Sequence, residues 1–174
     1  ESVEVLAGGG PADVLELTLA LAREMLAGAG IDDVDPADRL ADGSAMDAWK
    51  AMVRAQGGDP DAPMPTARES HVVLAPASGT LTRLDAMAVG LAAWRLGAGR
   101  ARKEDPVLAG AGVVWHARPG DPVTEGEPLF TLLTDEPERF DRALASLEGG
   151  YDVAADAGDK GAYSPSPLVI DRIS

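Results

Sequence analysis

The first third of the chain carries apolar residues at helical spacing. Pro11 and Asp13 open a helix, residues 14–26 are apolar on nearly every face, and Gly28 ends it. A helix this apolar is normally buried, and it has too many apolar sides for one partner helix to cover. We therefore expect residues 1–56 to expose apolar surface unless something else covers them.

The chain also begins inside a helical pattern. Val3 and Leu6 lie three residues apart, and the glycines at 8–10 stop the helix. Because the chain starts within an element and without methionine, we expect further residues upstream of Glu1. A later helix is predicted near residues 44–56. Its apolar residues share one face and are interpreted as packing into a core; they are Met46, Trp49, Met52 and Val53.

Residues 57–67 mark the clearest boundary in the sequence. Three prolines and two glycines within this segment exclude both a helix and a paired strand. The pattern therefore predicts a helical segment over 1–56, a linker over 57–67 and a second domain over 68–174.

From residue 71 onward the apolar pattern becomes that of strands. Strands are predicted at 71–75, 80–84, 112–117 and 128–133, with a last one at Leu168–Ile170. Asp85 should cap a helix that Gly97 ends, and a further helix is predicted over 136–147. Short antiparallel strands enclosing helices indicate the α+β class.

Composition and charge narrow the chemistry. The formal charge of −14 is spread over the chain and opposes binding to nucleic acids and anionic membranes. The one basic cluster is interrupted by acids and is best interpreted as a solvated loop; it consists of Arg95, Arg100, Arg102 and Lys103. The chain has no cysteine, and His71 and His116 are its two histidines. The sequence shows neither a signal peptide nor an apolar run near the roughly 20 residues of a membrane span. A cytoplasmic location is therefore expected.

One local pattern suggests a different function. Residues 75–81 and 120–129 resemble the hairpins of biotinyl and lipoyl carrier domains. Those carriers hold their modified lysine at the hairpin tip that follows the second pattern, and residues 132–137 contain no lysine. A free-standing carrier-like binding module is thus the alternative interpretation, with a shared fold that does not fix function.

A resemblance that covers almost the whole chain favours another family. Residues 8–22 and 52–60 resemble the later helices of the α/β domain in thymidine and pyrimidine-nucleoside phosphorylases. Residues 85–90 and 96–100 resemble the C-terminal domain of the same family, as do Asp105-Pro106, Gly112 and Gly120-Asp121 in the same order. The resemblance implies a helical remnant of the α/β domain, followed by an α/β-hammerhead domain with a barrel-sandwich-hybrid core.

The resemblance also implies an activity. Family members are pentosyltransferases of pyrimidine salvage that cleave thymidine with phosphate, giving thymine and 2-deoxyribose 1-phosphate, and they act as homodimers. Their phosphate loop and base-binding residues would lie upstream of Glu1, so the resemblance places no catalytic residue in this chain. The glycines at 8–10 and the segment 97–100 look like a helix stop and a turn, because neither has the surroundings of a phosphate cradle.

One ligand is carried over from the family. Its monovalent-cation site, expected to hold potassium, uses a glutamate a few residues before the glycine-rich turn, and Glu1 stands at that position. No organic cofactor is expected. The alternative is a solvated acid at a helix end, since a hard cation needs several oxygen ligands.

Overall fold

A computed structural model describes residues 1–155 and 167–173. The chain divides into two compact units: Glu1–Ala62 with Pro165–Ser174 form the first, and Pro63–Ser164 form the second. The division falls within residues 57–67, where the structure has no strand. The linker bounds, and the assignment of 1–56 to a larger α/β domain, stay predictions.

The described part of the first unit is helical. Its helices are α1 (Ser2–Leu6), α2 (Ala12–Gly28), α3 (Pro36–Ala41) and α4 (Ser44–Ala55). Asp35 caps α3 by accepting a hydrogen bond from the Ala37 N–H at 3.0 Å, and this bond is the main reason that the pKa of Asp35 lies below its ordinary value. Arg23 of α2 reaches the same carboxylate at 3.0 Å, which joins α2 to the start of α3.

The apolar side chains of α2 are largely uncovered. No residue of α2 is buried, and Leu21 and Met25 are 55% and 70% exposed. The apolar surface expected within residues 1–56 is therefore present, although a helix this apolar is normally buried. Among the described residues of the first unit, Val5 is the one buried apolar side chain.

The second unit is built on two three-stranded antiparallel sheets. Its strands are β1 (Glu69–Leu74), β2 (Gly79–Leu84), β3 (Gly112–Trp115), β4 (Pro122–Val123), β5 (Pro128–Thr134) and β6 (Tyr151–Ala154). The strand orders are β1-β5-β3 and β4-β2-β6. Leu81 is buried and Arg83 is exposed although they lie two residues apart, because the register of β2 against β6 shifts between them. Gly79 lets β2 and β6 approach closely, because a Cβ there would lie 2.1 Å from the Ala154 carbonyl oxygen.

Two helical stretches complete the second unit. Helix α5 (Ala86–Ala93) is capped by Asp85 and runs into a π-helical turn (Trp94–Ala98), which ends at Gly97 with φ of 109°. A 3₁₀ turn (Pro137–Arg139) leads into α6 (Phe140–Leu147), which packs against α5. The confirmed α+β class therefore rests on helices packed with two antiparallel sheets.

One core holds the second unit together. Its fully buried large side chains include Leu81, Leu96, Phe130 and Leu132, contributed by both sheets and by the π-helical turn. The rings of Phe130 and Tyr151 meet nearly edge to face with centroids 5.3 Å apart. Burial on this scale makes the second unit the stable part of the described chain.

Two predictions about strands are wrong. Residues 168–170 are irregular and exposed instead of forming a final strand. The strand that does pair near the end of the second unit is β6, which the sequence pattern did not predict. No helix in 1–155 or 167–173 is both long and apolar enough to cross a membrane.

Candidate functional site

Glu1, the predicted cation ligand, lies at the exposed start of α1. Its amino group lies 3.5 Å from the Glu4 carboxylate, and its carbonyl accepts the Val5 N–H at 2.9 Å. Across the described residues, no three or more histidine, cysteine, aspartate or glutamate side chains come together as metal ligands. The role of Glu1 as a cation ligand stays a prediction.

The two histidines serve separate local contacts. The His71 ring lies 5.6 Å from the ring of Phe140, tilted by 41°. The His116 Nε2 atom lies 2.8 Å from the Thr131 hydroxyl. Neither contact includes a carboxylate that would orient the imidazole as a base, so the arrangement indicates packing and a local hydrogen bond.

The segment where a carrier domain keeps its lysine has a different structure here. Strand β5 is paired on both sides as far as Leu133, and Thr134 at its end is fully buried. The Thr134 hydroxyl donates to the Leu96 carbonyl at 2.7 Å and accepts the Glu136 N–H at 3.2 Å. The segment is anchored in the core, unlike the free hairpin tip that a modified lysine requires.

The glycine-containing segments have structural roles. After α1, the Gly9 N–H donates to the Glu4 carbonyl at 2.8 Å, which ends the helix. At Gly97, a Cβ would lie 2.7 Å from the Leu108 Cδ1 atom, so this position needs glycine for both its φ and its space. Both observations agree with the predicted helix stop and turn.

The structure brings part of the basic cluster together with residues from a distant helix. Arg95 and Arg100 line a cavity of about 330 Å³ with Arg139 and Arg142, beside the Trp94 ring. Arg102 and Lys103 do not line it. The predicted solvated loop agrees with the exposure of Arg100, Arg102 and Lys103, whereas Arg95 lies half-buried in the π-helical turn. The sequence pattern missed the cavity because Arg139 and Arg142 lie 39 to 47 residues after Arg95 and Arg100 in the chain.

A second cavity in the same unit is more apolar. It has a volume of about 400 Å³ and is lined by Val73, Pro76, Leu144, Leu147, Glu148, Gly149 and Tyr151. Apart from the Glu148 carboxylate, it offers few polar groups with which to orient a ligand. The arginine-lined cavity is therefore the better candidate for binding among the described residues.

Comparison with known proteins identifies the second unit. The family described as "Pyrimidine nucleoside phosphorylase C-terminal domain" matches residues 80–154. This range begins in β2 and ends with β6, so it includes both described helical stretches and most of the sheet structure.

Curated relatives extend the similarity over the whole chain. Thymidine phosphorylase of Mycobacterium tuberculosis is 56% identical over 176 residues, which cover 99% of this chain and 39% of the relative. Pyrimidine-nucleoside phosphorylases of Staphylococcus haemolyticus and Bacillus subtilis are 34% and 33% identical over 168 residues, covering 90% of this chain. The chain thus spans about 39% of the length of these relatives.

These similarities also decide between the two interpretations of the sequence. The relatives are thymidine and pyrimidine-nucleoside phosphorylases, and they give no support to a biotinyl or lipoyl carrier. The chain belongs to the thymidine and pyrimidine-nucleoside phosphorylase family and corresponds to its C-terminal portion.

Proposed function

We propose that this chain is the C-terminal part of an enzyme that reversibly cleaves thymidine with phosphate. An oxygen of inorganic phosphate attacks the anomeric carbon, the bond from that carbon to the pyrimidine nitrogen breaks, and the base leaves with the bonding electron pair. The products are thymine and 2-deoxyribose 1-phosphate. The observation that carries the proposal is 56% identity to a thymidine phosphorylase over 99% of this chain.

The reaction needs groups that hold phosphate and stabilise negative charge on the departing base. We infer that these groups belong to the part of the enzyme that this chain does not span, since the chain corresponds to about 39% of its relatives. The contribution proposed for the chain is structural: the second unit forms a rigid domain, and the first unit offers the exposed apolar side chains of α2 to the rest of the enzyme.

Further features of the whole enzyme belong to the same proposal. It acts in pyrimidine nucleoside salvage in the cytoplasm and forms a homodimer. It uses no organic cofactor and binds potassium, with Glu1 among the ligands. Its partners are phosphate and a pyrimidine deoxynucleoside, with no nucleic acid and no membrane.

The test compares the isolated chain with the same chain extended upstream to the full length of its relatives. Release of free base from thymidine, deoxyuridine and uridine is followed with and without phosphate. We expect phosphate-dependent turnover of thymidine by the extended enzyme and none by the isolated chain. Turnover by the isolated chain would overturn the inference that the catalytic groups lie elsewhere. No activity of the extended, folded enzyme on any of the three nucleosides would overturn the proposed reaction.

A further inference from the structure

Four arginines meet at one cavity of the second unit. They come from three parts of the chain: Arg95 from the π-helical turn, Arg100 from the following loop, and Arg139 and Arg142 from the 3₁₀ turn and α6. We call this the arginine pocket. Its volume of about 330 Å³ is large enough for a small organic anion.

The positive charge of the arginine pocket is only partly balanced by acids. Arg95 donates to the Arg142 carbonyl at 2.9 Å, and Arg100 donates to the Lys103 carbonyl at 3.1 Å. These carbonyl partners satisfy hydrogen bonds but bring no negative charge. Within the described residues, Arg139 is the one arginine of the four that forms an ion pair, with Glu136.

The single acid lining the pocket is also engaged elsewhere. Asp105 accepts a hydrogen bond from the Arg102 N–H at 2.8 Å. The four guanidinium groups are positively charged, whereas only Glu136 and Asp105 oppose them with negative charge, so the pocket is positive. The protein as a whole has a formal charge of −14. A local reversal of sign of this kind attracts anions.

One donor of the Arg95 side chain lacks a partner. The Arg95 Nε atom is buried and has no hydrogen-bond acceptor within the described structure. Buried N–H groups in folded proteins are nearly always paired, and an unpaired one destabilises the fold. The atom is closed to solvent, so it does not count among the donors that the pocket offers to a ligand.

We propose that the arginine pocket binds a small anion that carries a phosphate group. Guanidinium groups present planar pairs of donors that match the oxygens of a phosphate, and several arginines can share one such group. The Trp94 ring forms an apolar wall of the pocket, with Gly99 packed against it so closely that a Cβ there would lie 2.9 Å from the Trp94 Cδ1 atom. This binding goes beyond the phosphorolysis proposed above and does not depend on it.

The experiment is a ³¹P NMR titration of the 174-residue chain with inorganic phosphate and with pyrophosphate, at constant ionic strength. We expect saturable binding, tighter for pyrophosphate because it offers more charge and more acceptor oxygens. Arg142→Ser and Arg100→Ser should each weaken binding about tenfold, the effect of losing one charge-assisted hydrogen bond. Neither side chain forms an ion pair in the described structure, so both variants should fold.

The matched control is Arg102→Ser, which removes the same charge from a neighbouring position outside the pocket. Its binding should stay within about twofold of the unchanged chain, because an exposed charge outside the pocket acts only through a screened field. A reduction equal to that of Arg100→Ser would show a general charge effect and overturn the proposal.

Two further outcomes would also contradict the proposal that the arginine pocket binds a phosphate group. Binding that is not saturable, or that chloride abolishes at equal ionic strength, would mean that the pocket has no preference for phosphate. Binding of citrate without binding of pyrophosphate would assign the pocket to carboxylates instead. Circular dichroism of each variant confirms that the fold is intact before binding is compared.

Discussion

At the scale of single residues, Thr134 links the sheet to the helical layer of the second unit. It is fully buried, and it is the one buried polar side chain among the described residues. Its hydroxyl donates to the Leu96 carbonyl at 2.7 Å and accepts from the Glu136 N–H at 3.2 Å. Both partners are backbone groups, so the hydroxyl fixes the π-helical turn against the end of β5.

We expect Thr134→Val to destabilise the chain by roughly 1–3 kcal/mol, because valine keeps the volume but leaves both backbone groups without this partner. Thr134→Ser keeps the hydroxyl and loses one methyl group, at a cost of roughly 1 kcal/mol. Urea unfolding followed by circular dichroism measures both changes. If the valine variant proved more stable than the serine variant, the hydroxyl would not be the important part of the side chain.

At the scale of elements, the start of α5 depends on one carboxylate. Asp85 accepts hydrogen bonds from the Met87 and Ala88 N–H groups at 2.8 and 3.3 Å. Asp85→Ala should destabilise the second unit by about 1 kcal/mol, whereas Asp85→Ser, which keeps an acceptor, should have a smaller effect. Thermal unfolding of the two variants tests this. Equal losses of stability in the alanine and serine variants would show that a hydrogen-bond acceptor at this position contributes little.

The same helix shows which elements a sequence can predict. Asp85 and Gly97 are local signals, and the structure places the helical stretch between them. Strand β6 has no such signal: it is four residues long, follows two glycines, and pairs with β2 about 70 residues earlier. Leu168–Ile170 has the composition of a strand but pairs with none of the described strands, and a strand forms only where a partner exists.

The arginine pocket could not be predicted from the sequence because it also depends on contacts between distant residues. Arg95 and Arg100 could be read as a basic cluster, but their neighbours Arg139 and Arg142 are set by the packing of α6 against α5. The unpaired state of the Arg95 Nε atom depends on the same packing. Contacts between residues far apart in sequence determine such a site, and one sequence does not encode them in a local pattern.

At the scale of the whole molecule, the two units differ in what stabilises them. The apolar core lies in the second unit, between Ala75 and Leu147. The described helices of the first unit contribute Val5 as their single buried apolar side chain and are joined by exposed ion pairs such as that of Arg23 with Asp35. Exposed ion pairs add little stability, so the described helices of the first unit have little burial to stabilise them.

The two units of the isolated chain should therefore differ in their rates of amide hydrogen exchange. We expect amides of β5, which is paired on both sides, to exchange at least roughly a hundredfold more slowly than amides of α2, because stability differs between regions with their burial. Mass spectrometry of peptides after timed exchange measures both. In the enzyme extended upstream, α2 should become protected while β5 changes little, since the added part covers the apolar side chains. Protection of α2 equal to that of β5 in the isolated chain would show that the first unit is stable without any such cover.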